Sequence, residues 1–330
     1  MSDMAVSGSR LAGAKGSPDT SDAVRYADNR GEYRQMLPIK QWGLVGIELR
    51  KQFFRPRTYI VLAATAILPP LIAAALAVSG STRPERVQAM LITPSSSGLS
   101  LWYIVLSSTE KFFIPLAVAL FAGEAIAGEA SWGSLRYLCA GTYSRTQILI
   151  SKMTVAAILC IATIAILSAS SLATGLAAFG TAPLPVTVAK TVSLASAVGQ
   201  LGGTARVATI YSVPTAIWKL LLSTLYGGTL EITIFTFAVL ASVIWDRPIV
   251  AIGAGIGLAV VSWNLQTDAI PGLDFFAKYT PTHGIGLWQW MFVSPALYAG
   301  MAGFIIKQII YGGIFLAAAF WWFIRKDIYS

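Results

Sequence analysis

The chain has 330 residues, of which 55% are hydrophobic and 12% charged, with a formal net charge of +9 and a mean hydropathy of +0.67. Soluble domains carry about 25% charged residues, so a water-soluble enzyme or binding module is excluded. Apolar runs of about 18 residues or more recur, which points to membrane helices and away from the alternating strands of a barrel.

Residues 1–37 are rich in Gly, Ser, Ala and Asp and show no periodicity, so a disordered tail is expected. The first 30 residues hold no apolar core, and no cleaved signal peptide is expected. In 38–57, Ile39, Trp42, Val45, Leu49 and Phe53 recur at helical steps. Gln41, Glu48, Lys51, Gln52 and Arg55 fall mainly on the other side. This predicts a basic amphipathic helix lying in the lipid interface, ended by Pro56.

The first span is predicted over 59–78, with a kink at Pro69-Pro70, and a polar loop over 80–100 follows. The second span, 101–122, contains Glu110 and Lys111. Residues 123–152 form a polar, glycine-cut stretch holding Glu124, Glu129, Arg136, Arg145 and Lys152. Leu135, Leu138 and Cys139 give it a short apolar face, and Gly141 suits the position after a helix end. Ser144-x-x-Gln147 is a capping-box pattern that starts the next helix. A short surface helix between two spans is predicted, with an ordinary charged loop as the competing reading.

The third span is predicted over 146–173, followed by an outer loop with some surface helix over 180–212. The fourth, 216–244, has Lys219 near one end and Glu231 inside. Trp245-Asp246-Arg247-Pro248 is a tight turn before the fifth span, 249–263. The long segment 264–303 is rich in Pro and aromatics, and suggests short re-entrant helices. The sixth span, 304–324, ends at Arg325-Lys326-Asp327, and 328–330 close the chain. Lys and Arg concentrate on the segments that share a side with the N-terminus, so both termini and 123–152 are expected in the cytoplasm.

The positive charge lies largely just before the first apolar run, so it is assigned to orientation and anionic lipid, and no nucleic-acid partner is expected. Cys139 and Cys160 are the only cysteines and His283 the only histidine, which argues against a disulfide, a metal site or a His-based triad.

On these features the chain resembles the permease subunit of a type-2 ABC exporter over about residues 42–327. The resemblance rests on the interfacial helix and on Glu124-x-x-x-Gly128-Glu129-x-x-x-Gly133-Ser134-Leu135-Arg136, followed by Ser144-Arg145 and Lys152. It also rests on the Trp245–Pro248 turn, the long loop before the last span, and the Arg325-Lys326-Asp327 ending. Family members often carry Pro where this chain has Tyr143. The resemblance implies an all-α membrane protein of six spans, with an interfacial helix and a cytoplasmic coupling helix between spans two and three. It implies a multi-pass protein of the inner (plasma) membrane, not itself an enzyme, that exports an amphipathic cargo such as a lipid, a drug or an envelope component. Two copies of a separate ATPase would bind ATP and Mg, since this chain has no G-x-x-x-x-G-K-[ST]. A second permease copy or a related permease would complete the assembly.

Candidate coupling residues are Glu124, Glu129, Trp132, Leu135, Arg136, Leu138 and Arg145. Glu110, Lys111, Lys219 and Glu231 are candidates for the translocation path, because a charge at the bilayer centre costs roughly 2.5–3.5 kcal/mol and must face protein or water. Pairing across helices, for instance Glu231 with Lys111, is the structural alternative. Gly253 and Gly257 offer a small-x-x-x-small face for dimerisation or for packing within one subunit, and in similar exporters spans one and five meet across the two-fold axis. The aromatic group in 263–292 suits an interfacial belt or, more sharply, an outer gate. Two other classes stay open: an ion-coupled secondary transporter using the intramembrane glutamates, and a non-transporting membrane scaffold or sensor.

Overall fold

In the computed structural model the described residues are 41–79, 97–140, 143–191, 204–266, 279–281, 284–292 and 298–326. Residues 45–330 belong to one compact unit, and the description below concerns that unit, with helix α1 (Gln41–Phe53) entering it. The expected tail, residues 80–96, Gly141, 267–278 and His283 lie outside the described residues.

Among the described residues six helices are long and apolar enough to cross a membrane, so the chain is a multi-pass helical membrane protein. The first is α2 (Pro56–Ser79). Pro56 opens this helix rather than merely ending α1, which suits proline because the first N–H of a helix has no intrahelical acceptor. The helix runs through Pro69 and Pro70.

The second span departs from expectation. It is two helices, α3 (Gly98–Thr109) and α4 (Phe113–Ser131), separated by Glu110, Lys111 and Phe112. Phe112 has φ −140° and ψ −49°, outside helical geometry, and supplies no side-chain cap. α4 also continues past residue 122 and carries Glu124 and Glu129 inside the helix. Average hydropathy ends the span at the first acidic residue. The real helix keeps going because both carboxylates have cationic partners elsewhere in the chain.

Gly133 takes φ 69° and turns the backbone into α5 (Ser134–Ala140), the short helix expected between spans two and three. α6 (Arg145–Phe179) then begins with the predicted capping box. The Ser144 hydroxyl accepts from Gln147 N at 3.2 Å, and Ser144 N donates to Gln147 Oε1 at 3.1 Å. Ser144→Ala is expected to cost about 1 kcal/mol. The check is the denaturation midpoint in detergent micelles, and an unchanged midpoint would show the cap to be idle.

The described residues of the 180–212 segment form strands where a loop with some surface helix was expected, and 192–203 lie outside the described residues. The segment contains an antiparallel hairpin, β1 (Leu184–Thr191) with β2 (Thr204–Tyr211), in which Leu184 faces Tyr211 and Thr191 faces Thr204. Val186, Thr187 and Val188, with Val207, Thr209 and Ile210 across the ladder, are the β-branched residues that favour a pleated strand over a helix. α7 (Val213–Ile244) returns from it, then α8 (Pro248–Gln266), a 3₁₀ helix η1 (Leu287–Phe292) and α9 (Tyr298–Arg325). The sixth span thus starts earlier than the predicted 304. At 1.5 Å per residue, the 35 residues of α6 and the 32 of α7 reach about 52 and 48 Å. Both overshoot a hydrocarbon core of about 30 Å, and the hairpin joins their overshooting ends.

α4 packs on α6, α7 and α8, and α7 packs on α8 and α9, so α4 and α7 form the centre. α2 lies against α6, where Ser170 Oγ donates to Ala66 O at 2.7 Å. Inside the pair α4–α7, the Ser242 hydroxyl accepts from Ile126 N at 2.9 Å and Ala127 N at 2.8 Å. At the hairpin end, α3 meets the last turns of α6 backbone to backbone, with Gly98 N donating to Gly180 O at 3.0 Å.

Candidate functional site

Two places in the fold concentrate ionisable groups. The first is the end of the bundle where α5 lies. Here Lys152, near the start of α6, is buried, and its ammonium lies 2.8 Å from Glu129 Oε2 and 3.2 Å from Glu48 Oε2. Lys51 donates to the other oxygen of Glu129, and Arg57 to Glu124. One charge network therefore joins α1, α4 and α6, and a separate Arg57–Glu124 pair ties α2 to α4. α1 does not segregate its faces as its pattern suggests: Glu48 is buried with Val45, while Ile47, Phe53 and Phe54 are exposed beside Arg50 and Lys51. The sequence placed Glu48 on the polar side and had no signal that Lys152, 104 positions away, would receive it.

The predicted coupling residues divide into two sets. Glu129 is 3% exposed, and Glu124 and Leu135 are also buried, so all three serve internal contacts. Arg145 donates to Ile324 O at 2.9 Å and Lys326 O at 2.7 Å, fastening the last turn of α9 to the first turn of α6. Lys326 reaches Asp246 Oδ1 at 2.6 Å and Val243 O at 2.8 Å, which locks the Trp245–Pro248 turn as well. Trp132 at 85% exposed, Tyr137 at 79% and Arg136 project outward from the α4–α5 corner, with Leu138 half-buried. Beside Trp132 is a cavity of about 510 Å³ lined by Lys51, Arg55, Arg57 and Glu129. Tyr137 was not singled out from the sequence, where an aromatic at that position reads equally well as buried or exposed. Burial pushes the Cys139 thiol up.

The second place is the break in span two. Glu110 is buried and accepts from the indole N–H of Trp288, a fully buried residue of η1. Tyr103 meets the Trp288 ring edge-on at 4.8 Å and the Phe292 ring at 5.6 Å. η1 is thereby plugged into the core by aromatic packing, the part of 264–303 that the composition hinted at. Lys111 is exposed, with its ammonium 4.7 Å from the Trp263 ring centroid. Lys219 sits near the hairpin end of α7, donates to Met291 O and lies 4.6 Å from the Tyr211 ring. Glu231 is buried on α7, and no ion pair joins it to Lys111 or to any other described residue. The structure thus brings Glu110 and Glu231 into one electrostatic neighbourhood and leaves Lys111 and Lys219 at its edges.

Gly253 and Gly257 have no atom within 4 Å of where a Cβ would stand, whereas Gly255 between them is packed on Ala119 and Ala238. The two dimerisation candidates therefore lie on an open face of α8.

A protein of Bacillus subtilis (strain 168), "Uncharacterized protein YhcI", is 25% identical to this chain over 237 residues, which is 71% of each chain. The profile of the family described as "Protein of unknown function (DUF2705)" matches residues 71–329, from the middle of α2 through α9, and the chain belongs to that family.

Proposed function

We infer that the protein is the permease subunit of an ATP-driven exporter, with α5 as the helix on which a separate ATPase docks. The observation that carries this reading is the α4–α5 corner: Trp132, Arg136 and Tyr137 are exposed and unsupported by their own chain. Their base is the opposite. Glu129, Lys152, Lys51 and Glu48 tie α4, α6 and α1 together beneath it, so a push on α5 would pass into α4 and α6 instead of dissipating in a loose loop. Exposed Trp and Arg are residues that anchor protein interfaces. In this arrangement the α5 end faces the cytoplasm, consistent with the Lys and Arg excess there. The exposed apolar and basic residues of α1 would rest in the lipid interface, and the open Gly253–Gly257 face would receive a second permease copy.

The test is Trp132→Ala with Arg136→Glu in the membrane-reconstituted complex with its ATPase. Permease-stimulated ATP turnover and co-purification of the ATPase are expected to fall at least tenfold, while the variant keeps wild-type helicity and thermal midpoint. If turnover and co-purification persist, α5 is not the docking element.

One observation favours a second reading. The second span is discontinuous and carries a buried glutamate at its break, a feature of ion-coupled secondary transporters. Uptake driven by an imposed proton or sodium gradient, in vesicles lacking any ATPase, would select that reading over the first.

A further inference from the structure

A cavity of about 760 Å³ opens between α6 and α7, with Trp102 of α3 and Val118 of α4 also lining it. Its volume is that of a small-molecule site. Its walls are aliphatic, built from residues such as Ile161, Ile164 and Leu172 of α6 and Leu225 and Ile232 of α7. Ile161 is 67% exposed and Leu225 69%, so the mouth lies on the membrane-facing surface of the chain.

Into this apolar space α7 places Glu231, which is 7% exposed. Its Oε2 is fully buried and has no hydrogen-bond partner among the described residues. The other buried glutamates of the described chain each have a partner on at least one oxygen, although Glu110 Oε1, like Glu231 Oε2, is buried without one. Glu129 has Lys51 and Lys152, Glu48 has Lys152, Glu124 has Arg57, and Glu110 has the Trp288 indole. A buried carboxyl left alone costs several kcal/mol in general and is rare in native proteins. Trp102, also lining the cavity, has an indole N–H that is buried and equally without a partner. The carboxyl of Glu110 lies within electrostatic reach of Glu231, and its own neighbour Lys111 is engaged with the Trp263 ring. A cavity with an apolar body, one lone acid, an aromatic floor and a mouth toward lipid is complementary to one kind of molecule.

We propose that this cavity binds a lipophilic amine, an amphipathic cation that enters from the bilayer, with its ammonium against Glu231 and its apolar body between α6 and α7. The ammonium N–H donates to the carboxylate that lacks a donor, and the Trp102 ring provides a face on which a cation is attracted. This site stands on the geometry of the single chain and does not require an ATPase.

The experiment uses the full chain in nanodiscs of zwitterionic lipid, without nucleotide or partner, with rhodamine 6G as the probe and fluorescence anisotropy as the readout. Saturable binding is expected to weaken at least tenfold in Glu231→Gln, which keeps the shape and removes the charge. Ile164→Trp, which fills the cavity and leaves the acid in place, is expected to weaken it to a similar degree. Dodecylamine should displace the probe and dodecanol at equal concentration should not. The proposal is overturned if the wild type shows no saturable binding, if both variants bind as the wild type does, or if the alcohol competes as well as the amine, which would mark a lipid-tail groove. Where Glu231→Gln proves misfolded by circular dichroism, the Ile164→Trp variant and the amine–alcohol pair decide alone. Failure here leaves the ATP-coupled reading intact, and failure of the α5 test leaves this site intact.

Discussion

Lys152→Met is expected to be the most damaging single substitution at the α5 end, lowering stability by about 3–5 kcal/mol. The ammonium is buried between Glu129 and Glu48, and both carboxylates are buried as well. Methionine fills the same volume but removes the charge that compensates two acids. Lys51 still serves Glu129, but Glu48 is left with no cation. Most of the loss is the cost of that stranded carboxylate, not the net worth of the pair. Lys152→Met combined with Glu48→Gln should therefore recover a substantial part of it. Chemical denaturation in mixed micelles, followed by tryptophan fluorescence, reads both variants. A single-variant loss below about 1 kcal/mol, the ordinary range of an exposed pair, would show that water reaches Lys152. Because the same lysine joins α6 to α4 and α1, the single variant should also uncouple any force applied at α5, even under conditions where it remains folded.

Gly98→Val is expected to cost about 3 kcal/mol, through backbone crowding and not through charge. A Cβ at Gly98 would lie 2.6 Å from both Gly175 O and Gly180 O. Those obstacles are main-chain carbonyls, which cannot swing aside as a flexible side chain can. The 3.0 Å bond from Gly98 N to Gly180 O would lengthen, and α3 would be lifted off α6. Since α3 carries Trp102 and leads to Glu110, the cavity floor would shift with it. Gly253→Val is the matched control. Nothing stands near that position in the single chain, so its stability should change by no more than about 0.5 kcal/mol. Thermal midpoints of the two variants in one detergent make the comparison, and equal midpoints would refute the close approach of α3 to α6.

Much of the candidate site was legible because it depends on local pattern. The Ser144–Gln147 box reads as a helix start from two residues, and that is how the backbone uses it. The short helix α5 follows from a glycine break and a short apolar face, and both are present at Gly133 and Leu135. Trp132 and Arg136, which the sequence singled out in this stretch, are exposed. Glu124 and Glu129 read from the sequence as coupling residues at the start of the polar stretch, whereas the structure holds both inside α4. Their partners Arg57, Lys51 and Lys152 come from other helices, 67 positions away for Arg57 and 78 for Lys51, and no window of sequence joins them. Lys219 and Lys111 looked like intramembrane charges on composition. In the structure Lys219 donates to Met291 O beside the Tyr211 ring, and Lys111 lies over the Trp263 ring.

The number of spans, the helix that precedes the first one and the short helix after the second were determined by the sequence alone, because hydropathy and capping are properties of neighbouring residues. Only the tertiary structure decided which charges are neutralised and which are not. Glu129 reads from the sequence as part of a polar stretch and Glu231 as an acid inside a span, yet the fold buries both. One meets two lysines from distant helices and becomes a structural clamp; the other meets none among the described residues and faces a cavity. The difference lies in what the fold brings within hydrogen-bond reach, since nearby cations and donors offset the loss of water around a buried carboxylate.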